Sequence, residues 1–318
     1  MRAVLLDADT LGHWNHSDAS KNNVNLAPIR QLFSTLDVYG FTAPSEVIER
    51  CIDADVIIIN KVVIDRKIIE QLPQLKMIQL AATGMNNVDI EAAKERGIIC
   101  SNVADYSTFA VAQLTLSFIL NCATRTCEHH LLTQKGAWQQ SRIFTLTDYP
   151  TMEVAGKRLL LLGYGSIGKK VHQLAEAFDM IVDIAHIPGR PNRKGQVELY
   201  SALEHADFVS LHCPLSEQTH QLVNQSFLLS MKPSAFLINT ARGPIINEQD
   251  LATALINRTI AGACLDVLST EPPEENNPLL HNIPNLMITP HIAWASHEAK
   301  QRLIHGIENK IIEFIGRV

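Results

Sequence analysis

Basic residues are outnumbered in this 318-residue chain, 27 Lys and Arg against 33 Asp and Glu, for a formal net charge of -6. No global positive field exists to collect a phosphate backbone, which argues against nucleic acid as a partner. A secretory signal is also missing. The N-terminus runs directly into the strand-like Ala3-Val4-Leu5-Leu6, without a basic start or a small-residue cleavage site. No run is long enough to span a bilayer, since the most apolar stretch, Val111 to Ala123, is interrupted by Gln113, Thr115, Ser117 and Asn121. The six cysteines, 51, 100, 122, 127, 213 and 264, form no CxxC pair and read as reduced packing residues, neither a disulfide frame nor a zinc site. His129-His130 lacks metal-ligand spacing, so no metal is expected. Ser166 sits in a GxS without the second glycine of a nucleophile elbow, which excludes that type of hydrolase. Repeats and low-complexity tracts are absent. These absences leave a globular, cytoplasmic protein without a membrane partner, and its length suggests two domains.

What is present is alternation. Apolar runs at 3–6, 55–59, 76–80, 158–162, 181–185, 207–211, 235–239 and 260–265 each precede a stretch of helical period. Continuous Val/Ile/Leu runs are the mark of strands buried on both faces, so the expected fold is α/β with two doubly wound parallel sheets. Between them, Ser107 to about Arg125 reads as apolar all round, suiting a helix buried on every side between domains or subunits. At the C-terminus, Ser296 is a candidate N-cap for a helix with the apolar stripe Leu303, Ile304, Ile307, Ile311 and Phe314 or Ile315.

The run Arg158–Leu162 feeds Gly163-Tyr164-Gly165-Ser166-Ile167-Gly168 and then a helical pattern. GxGxxG alone is weak, but strand, glycines and helix in that order form a dinucleotide fingerprint. Its first glycine permits the tight turn, the second lets backbone approach a pyrophosphate, and the third lets helix and strand pack closely. An acid is then expected at the end of the second strand, for the ribose hydroxyls. Asp183 falls inside the strand, and the end carries His186, Pro188, Gly189 and Arg190, with Arg193 and Lys194 beyond. That basic loop reads either as a site for a 2′-phosphate or as a solvated surface. The cofactor is therefore NAD(H) or NADP(H), leaning to NADP(H).

Three late strands end in polar residues: Arg242 after 235–239, Glu271 after 260–265, and His291 after Leu286–Thr289. Each alone has a plain structural explanation. Together, downstream of a dinucleotide fingerprint, they supply the parts for 2-keto acid reduction. An arginine forks onto a carboxylate, a histidinium delivers a proton to the carbonyl oxygen, and a glutamate favours the imidazolium and orients it.

These blocks, with Leu211-His212-Cys213-Pro214-Leu215 and Asp266 to Pro272, resemble the D-isomer-specific 2-hydroxyacid dehydrogenases along essentially the whole chain. The resemblance implies a flavodoxin-like substrate domain from 1–101 and 291–318, and a Rossmann domain from 102–290. It makes Arg242, Glu271 and His291 catalytic, and it makes Asp266 the acid on the nicotinamide side. Further cofactor contacts are implied at Thr108, His212, Cys213, Pro214, Thr219, Thr240 and Ala241, beside the glycine turn, His186 and Arg190. Ala82-Thr83-Gly84 is similar to the loop that grips the substrate carboxylate, with Trp138 and Trp294 also on the substrate side. Pro290 to Ser296 is similar to the glycerate dehydrogenase (hydroxypyruvate reductase) branch, and the Gly136-Ala137-Trp138 arm to one exchanged between subunits, implying a homodimer. The expected reaction takes hydroxypyruvate or glyoxylate to D-glycerate or glycolate. Alternatives are a D-lactate-type enzyme, or a dinucleotide-sensing interaction protein on the same fold. A phosphoglycerate enzyme often carries an extra regulatory domain, for which 318 residues leave no room. Two departures stand out: His186 replaces the acid of NAD-preferring members, and Gln113 replaces a usual glutamate.

Overall fold

The computed structural model describes residues 1–12 and 24–317. The chain divides into a terminal unit, Met1–Ser107 with Trp294–Val318, and a central unit, Thr108–Ala293.

The terminal unit holds β1 (Arg2–Leu5), β2 (Thr35–Val38), β3 (Val56–Ile59), β4 (Met77–Leu80) and β5 (Ile99–Ser101), all parallel in the order β2-β1-β3-β4-β5. This is the flavodoxin-like order, with its reversal between β1 and β3. The fully buried Val56–Ile59 and Met77–Leu80 explain the unbroken apolar runs of the middle strands. β2 and β5 escape a search for apolar runs because they are short and partly exposed edge strands. The helix His297–Ile315 begins as expected, with Ser296 Oγ accepting the Ala299 N–H at 3.1 Å. It packs against β4 and buries Leu303, Ile304, Ile307, Ile311 and Phe314.

The central unit holds β6 (Arg158–Leu162), β7 (Ile181–Ile184), β8 (Phe208–Leu211), β9 (Phe236–Asn239), β10 (Gly262–Leu265) and β11 (Leu286–Ile288), parallel in the order β11-β10-β9-β8-β6-β7. An isolated parallel bridge, Ala185↔Val197, lies just beyond β7. Counted as a degenerate third strand, it makes the order 3-2-1-4-5-6-7, the 3-2-1-4-5-6 order of a Rossmann sheet with one further strand at the edge, and the reversal lies between β6 and β8.

The helix Thr108–Thr124 corrects one expectation. It is not apolar all round, and within the single chain one face is left exposed. Phe109, Gln113, Ser117 and Thr124 are exposed, while Ala112, Thr115, Phe118, Ile119 and Cys122 face the core. Two of the polar residues that break the apolar run, Gln113 and Ser117, are four apart and fall on one stripe, as an amphipathic helix requires. Among the described residues, no helix is long and apolar enough to cross a membrane.

Candidate active site

The glycine turn follows β6 at the strand-order reversal. Gly163 has φ +110°, and a Cβ there would lie 2.4 Å from the His212 carbonyl carbon, so only glycine fits. A Cβ on Gly168 would lie 2.3 Å from Gly163 O, which lets the helix Ser166–Glu176 start tight against the strand. Gly165 is different. Its φ is -81°, its Cβ would meet nothing within 4 Å, and no side chain caps the helix it precedes. An open backbone face at the positive end of an uncapped helix is what a pyrophosphate needs, so the turn fits a dinucleotide. Tyr164 and Ile167 pack on the adjoining core, and the Tyr164 hydroxyl bonds His172 Nδ1 at 3.0 Å.

Beneath the turn lies His212, bonded through Nε2 to Ser210 Oγ at 2.9 Å. Burial holds its imidazole down at about 4, so it is neutral at pH 7. Cys213 is buried, and burial pushes its thiol up to about 11. Pro214 is exposed, and its carbonyl accepts the hydroxyl of buried Thr219 at 2.8 Å, which also takes the Ser216 N–H at 2.8 Å. Thr219 thus braces this turn. Thr240 Oγ1 meets Thr115 Oγ1 at 3.1 Å, and the Ala241 N–H donates to Asn239 Oδ1 at 2.9 Å. Thr108 Oγ1 is buried without a partner, an orphaned polar atom of the kind a ligand satisfies.

Past β7, Asp183 is occupied by Arg158 Nη1 at 2.9 Å. His186 Nε2 donates to the Arg190 carbonyl at 2.6 Å, closing a turn around Gly189 at φ +77°. Glu198, whose carboxyl is held down by the N–H groups of its helix and by His186, caps Leu199–Leu203 through the Ser201 N–H at 2.8 Å.

Asp266, just past β10, organises the opposite side. Its backbone carbonyl accepts the His291 N–H at 2.8 Å. Its Oδ1 accepts from Thr289 Oγ1 at 2.6 Å and Ile292 N at 2.9 Å, and its Oδ2 from Ala293 N at 2.8 Å. Three successive N–H groups therefore converge on one residue. Burial raises the Asp266 carboxyl above its ordinary value against the opposing pull of these donors and of His291. Within this cradle His291 adopts φ +53°. Its Nδ1 lies 2.6 Å from Glu271 Oε2, while Glu271 Oε1 accepts the Leu268 N–H at 3.0 Å. A carboxylate only accepts, so Nδ1 carries a proton and Nε2 is left for other chemistry.

The structure brings His291 and Glu271 into contact. Arg242 is exposed on the neighbouring loop, with Nη1 donating to Ala241 O at 2.7 Å. A Cβ on Gly243 would lie 1.9 Å from the Leu268 carbonyl carbon, so the Arg242 loop is pressed against the loop leading to Glu271. Asn239, Glu248 and Thr289 received no role from the sequence. Buried Asn239 donates to Arg242 O at 2.9 Å, and Glu248 accepts from Ser269 N at 2.6 Å and Asn277 Nδ2 at 2.8 Å. Their Asn-turn and N-terminal helix positions were the available signals. Trp138 is exposed, and its Nε1 donates to Phe144 O at 3.0 Å. Ala82, Thr83, Gly84 and Trp294 belong to the terminal unit. There Thr83 Oγ1 donates to Val103 O at 3.0 Å and Trp294 meets Tyr106 edge-on at 6.3 Å.

Residues 116–293 match the family model described as D-isomer specific 2-hydroxyacid dehydrogenase, NAD binding domain. The chain is 37% identical over 283 residues to the hydroxypyruvate reductase of Blautia hydrogenotrophica, covering 88% of each. It is 37% identical over 274 residues to the glycerate dehydrogenase of Methylorubrum extorquens, covering 86% of each. Among solved structures, an acyclic imino acid reductase in complex with NADPH and D-Arg superposes with a TM-score of 0.84 at 27% identity, over 100% of this chain and 98% of that one. The chain belongs to the D-isomer-specific 2-hydroxyacid dehydrogenases, enzymes that use a nicotinamide dinucleotide.

Proposed function

We propose that the protein reduces hydroxypyruvate or glyoxylate to D-glycerate or glycolate, with His291 as proton donor. The observation that carries this is the 2.6 Å His291–Glu271 contact on a backbone held by Asp266, at the same sheet edge as the glycine turn. When bound, the dinucleotide supplies a hydride to the keto carbon. Gly163 to Gly168 hold its phosphates, Thr108, Thr240 and Ala241 offer further contacts, and Asp266 keeps one Oδ2 lone pair beyond its hydrogen bonds. Arg242, exposed and planar, takes the substrate carboxylate in two-pronged fashion, as lysine cannot. Glu271 fixes the ring so that the Nε2 proton reaches the carbonyl oxygen as charge develops there. The Ala82–Gly84 loop and Trp294 belong to the substrate-binding part, and cofactor binding to the central unit.

NADP(H) is the cofactor this reading favours. Asp183 is taken by Arg158 and Glu198 by its helix cap, which leaves His186 and Arg190 at the end of β7. The protein acts in the cytoplasm as a homodimer, through an arm on which Leu131, Trp138, Ile143 and the 90% exposed Phe144 leave apolar area bare.

The test is His291→Ala. Turnover of hydroxypyruvate should fall about 10²–10⁴-fold while dinucleotide affinity, measured by fluorescence titration, stays within about twofold. Wild-type rates of hydride transfer in the variant would assign the proton to another group.

A further inference from the structure

Cys122 and Cys264 take no part in the site described above. Cys122 lies in the last turns of the helix Thr108–Thr124 and Cys264 in β10, and their sulfurs are 3.4 Å apart. Both are buried, at 4% and 2% exposure. Among the described residues, no group of three His, Cys, Asp or Glu could hold a metal, so a closed metal centre does not account for the pair. A disulfide requires about 2.05 Å, a closure small enough for side-chain rotation and a minor shift of the helix end.

The roof over the thiols is the break between two helices. The helix stops at Arg125, in left-handed conformation at φ +53°, and the next helix, Thr126–Gln134, starts at once. The junction is held by Arg125 N–H on Asn121 O at 2.8 Å, Cys127 N–H on Asn121 Oδ1 at 3.1 Å, the Thr124 and Thr126 hydroxyls at 2.6 Å, Met152 N–H on Ala123 O at 2.9 Å and an Arg125–Glu128 ion pair at 3.0 Å. Glu128 Oε2 is buried there without a partner. Local opening at the break between the two helices admits a small oxidant. Cys264 lies two residues before Asp266, the residue on which the N–H groups of His291, Ile292 and Ala293 converge.

We propose that Cys122 and Cys264 are an oxidisable dithiol, which a peroxide converts to a disulfide that ties the helix to β10 and slows reduction through Asp266. One thiolate attacks a peroxide oxygen and breaks the O–O bond, giving a sulfenic acid and hydroxide, which leaves as water with the thiol's proton. The second thiol sulfur then displaces the sulfenic hydroxyl as a second water. Two thiols lose two electrons and two protons, and one peroxide becomes two waters. Reduction by a dithiol reverses the bond.

The experiment uses the full chain carrying Cys127→Ser, because Cys127 is exposed and would react first. After hydrogen peroxide, the protein is denatured, alkylated and mapped without reductant, and hydroxypyruvate turnover is followed in parallel. The expected result is a peptide joining residues 122 and 264, with turnover down about tenfold, given that a 1 Å misplacement can cost about 10²-fold. Dithiothreitol should restore both, and Cys122→Ala should resist the loss. Full alkylation of both cysteines, a cross-link without loss of turnover, or equal loss in Cys122→Ala would each overturn the proposal. The peptide map needs no substrate, so failure of the dithiol is distinguishable from failure of the proposed reaction.

Discussion

Strand order reverses between β1 and β3 in the terminal unit and between β6 and β8 in the central unit, the two places where open parallel sheets receive ligands. At the first, the protein fills the crevice with its own side chain. Asp7, 5% exposed, follows β1 and accepts the N–H groups that follow β3: Asn60 at 2.9 Å, Lys61 at 2.5 Å and Val62 at 3.1 Å. At the second, glycine stands where a side chain would intrude, and the backbone face at Gly165 is open. The same topology thus yields one sealed crevice and one receptive crevice, and the difference is a single carboxylate against a single missing Cβ. Fold gives the location of a site, and local residues decide whether a site exists.

The comparison can be broken first at Asp7. Asp7→Ala strands three backbone N–H groups, and about 3 kcal/mol of stability should be lost, read by denaturant unfolding. The vacated N–H groups then form an anion-binding concavity, so inorganic sulfate should stabilise the variant more than the wild type. Equal stability of variant and wild type would show the carboxylate to be incidental. The receptive crevice rests on neutral His212, whose value near 4 lies below the ordinary 6.5. The folded state thus refuses a proton that the unfolded chain accepts. Its stabilisation is whole above pH 6.5 and drains away as pH falls toward 4, on the order of 3 kcal/mol. His212→Gln should flatten that part of the stability–pH curve, and an unaltered curve would assign the loss to other groups.

Gly165→Ala sharpens the contrast from the other side. The added methyl meets no protein atom, so stability should stay within about 0.5 kcal/mol. Dinucleotide affinity should nevertheless fall about tenfold, or about 1.4 kcal/mol, by calorimetric titration. Undiminished affinity would place the phosphates elsewhere. The smallest effect is expected at His186→Asp. A carboxylate at the end of β7 should move preference toward NADH by several-fold, mostly through KM, because it repels a 2′-phosphate. If wild type already prefers NADH and the variant does not shift, the basic loop is merely solvated.

Legibility followed sequence distance. The glycine turn was readable because strand, glycines and helix are contiguous, and Ser296 because an N-cap and its helix are neighbours. The apolar runs exposed the central strands, which are buried on both faces. β2 and β5 were invisible because edge strands need no such run, and Val197 because one bridge leaves no pattern. Arg242, Glu271 and His291 drew attention by following strands. What holds them did not, since Asp266 acts 25 to 27 residues away and Asp7 more than 50 away. Tertiary partners of a lone acid leave no local trace. The Thr108–Thr124 helix failed for the opposite reason. Its polar residues interrupt the apolar run along the sequence, and two of them share a stripe only once the chain is wound into a helix.

His291 holds a left-handed backbone, φ +53°, that most side chains avoid and glycine adopts freely. The fold therefore carries a tension of about 1 kcal/mol at the residue it can least replace. A laboratory search for heat-resistant variants, run without an activity screen, would drift toward glycine here and would return a sturdier, inert protein. Durability and chemistry pull this one position in opposite directions, so selection for either must be checked against the other.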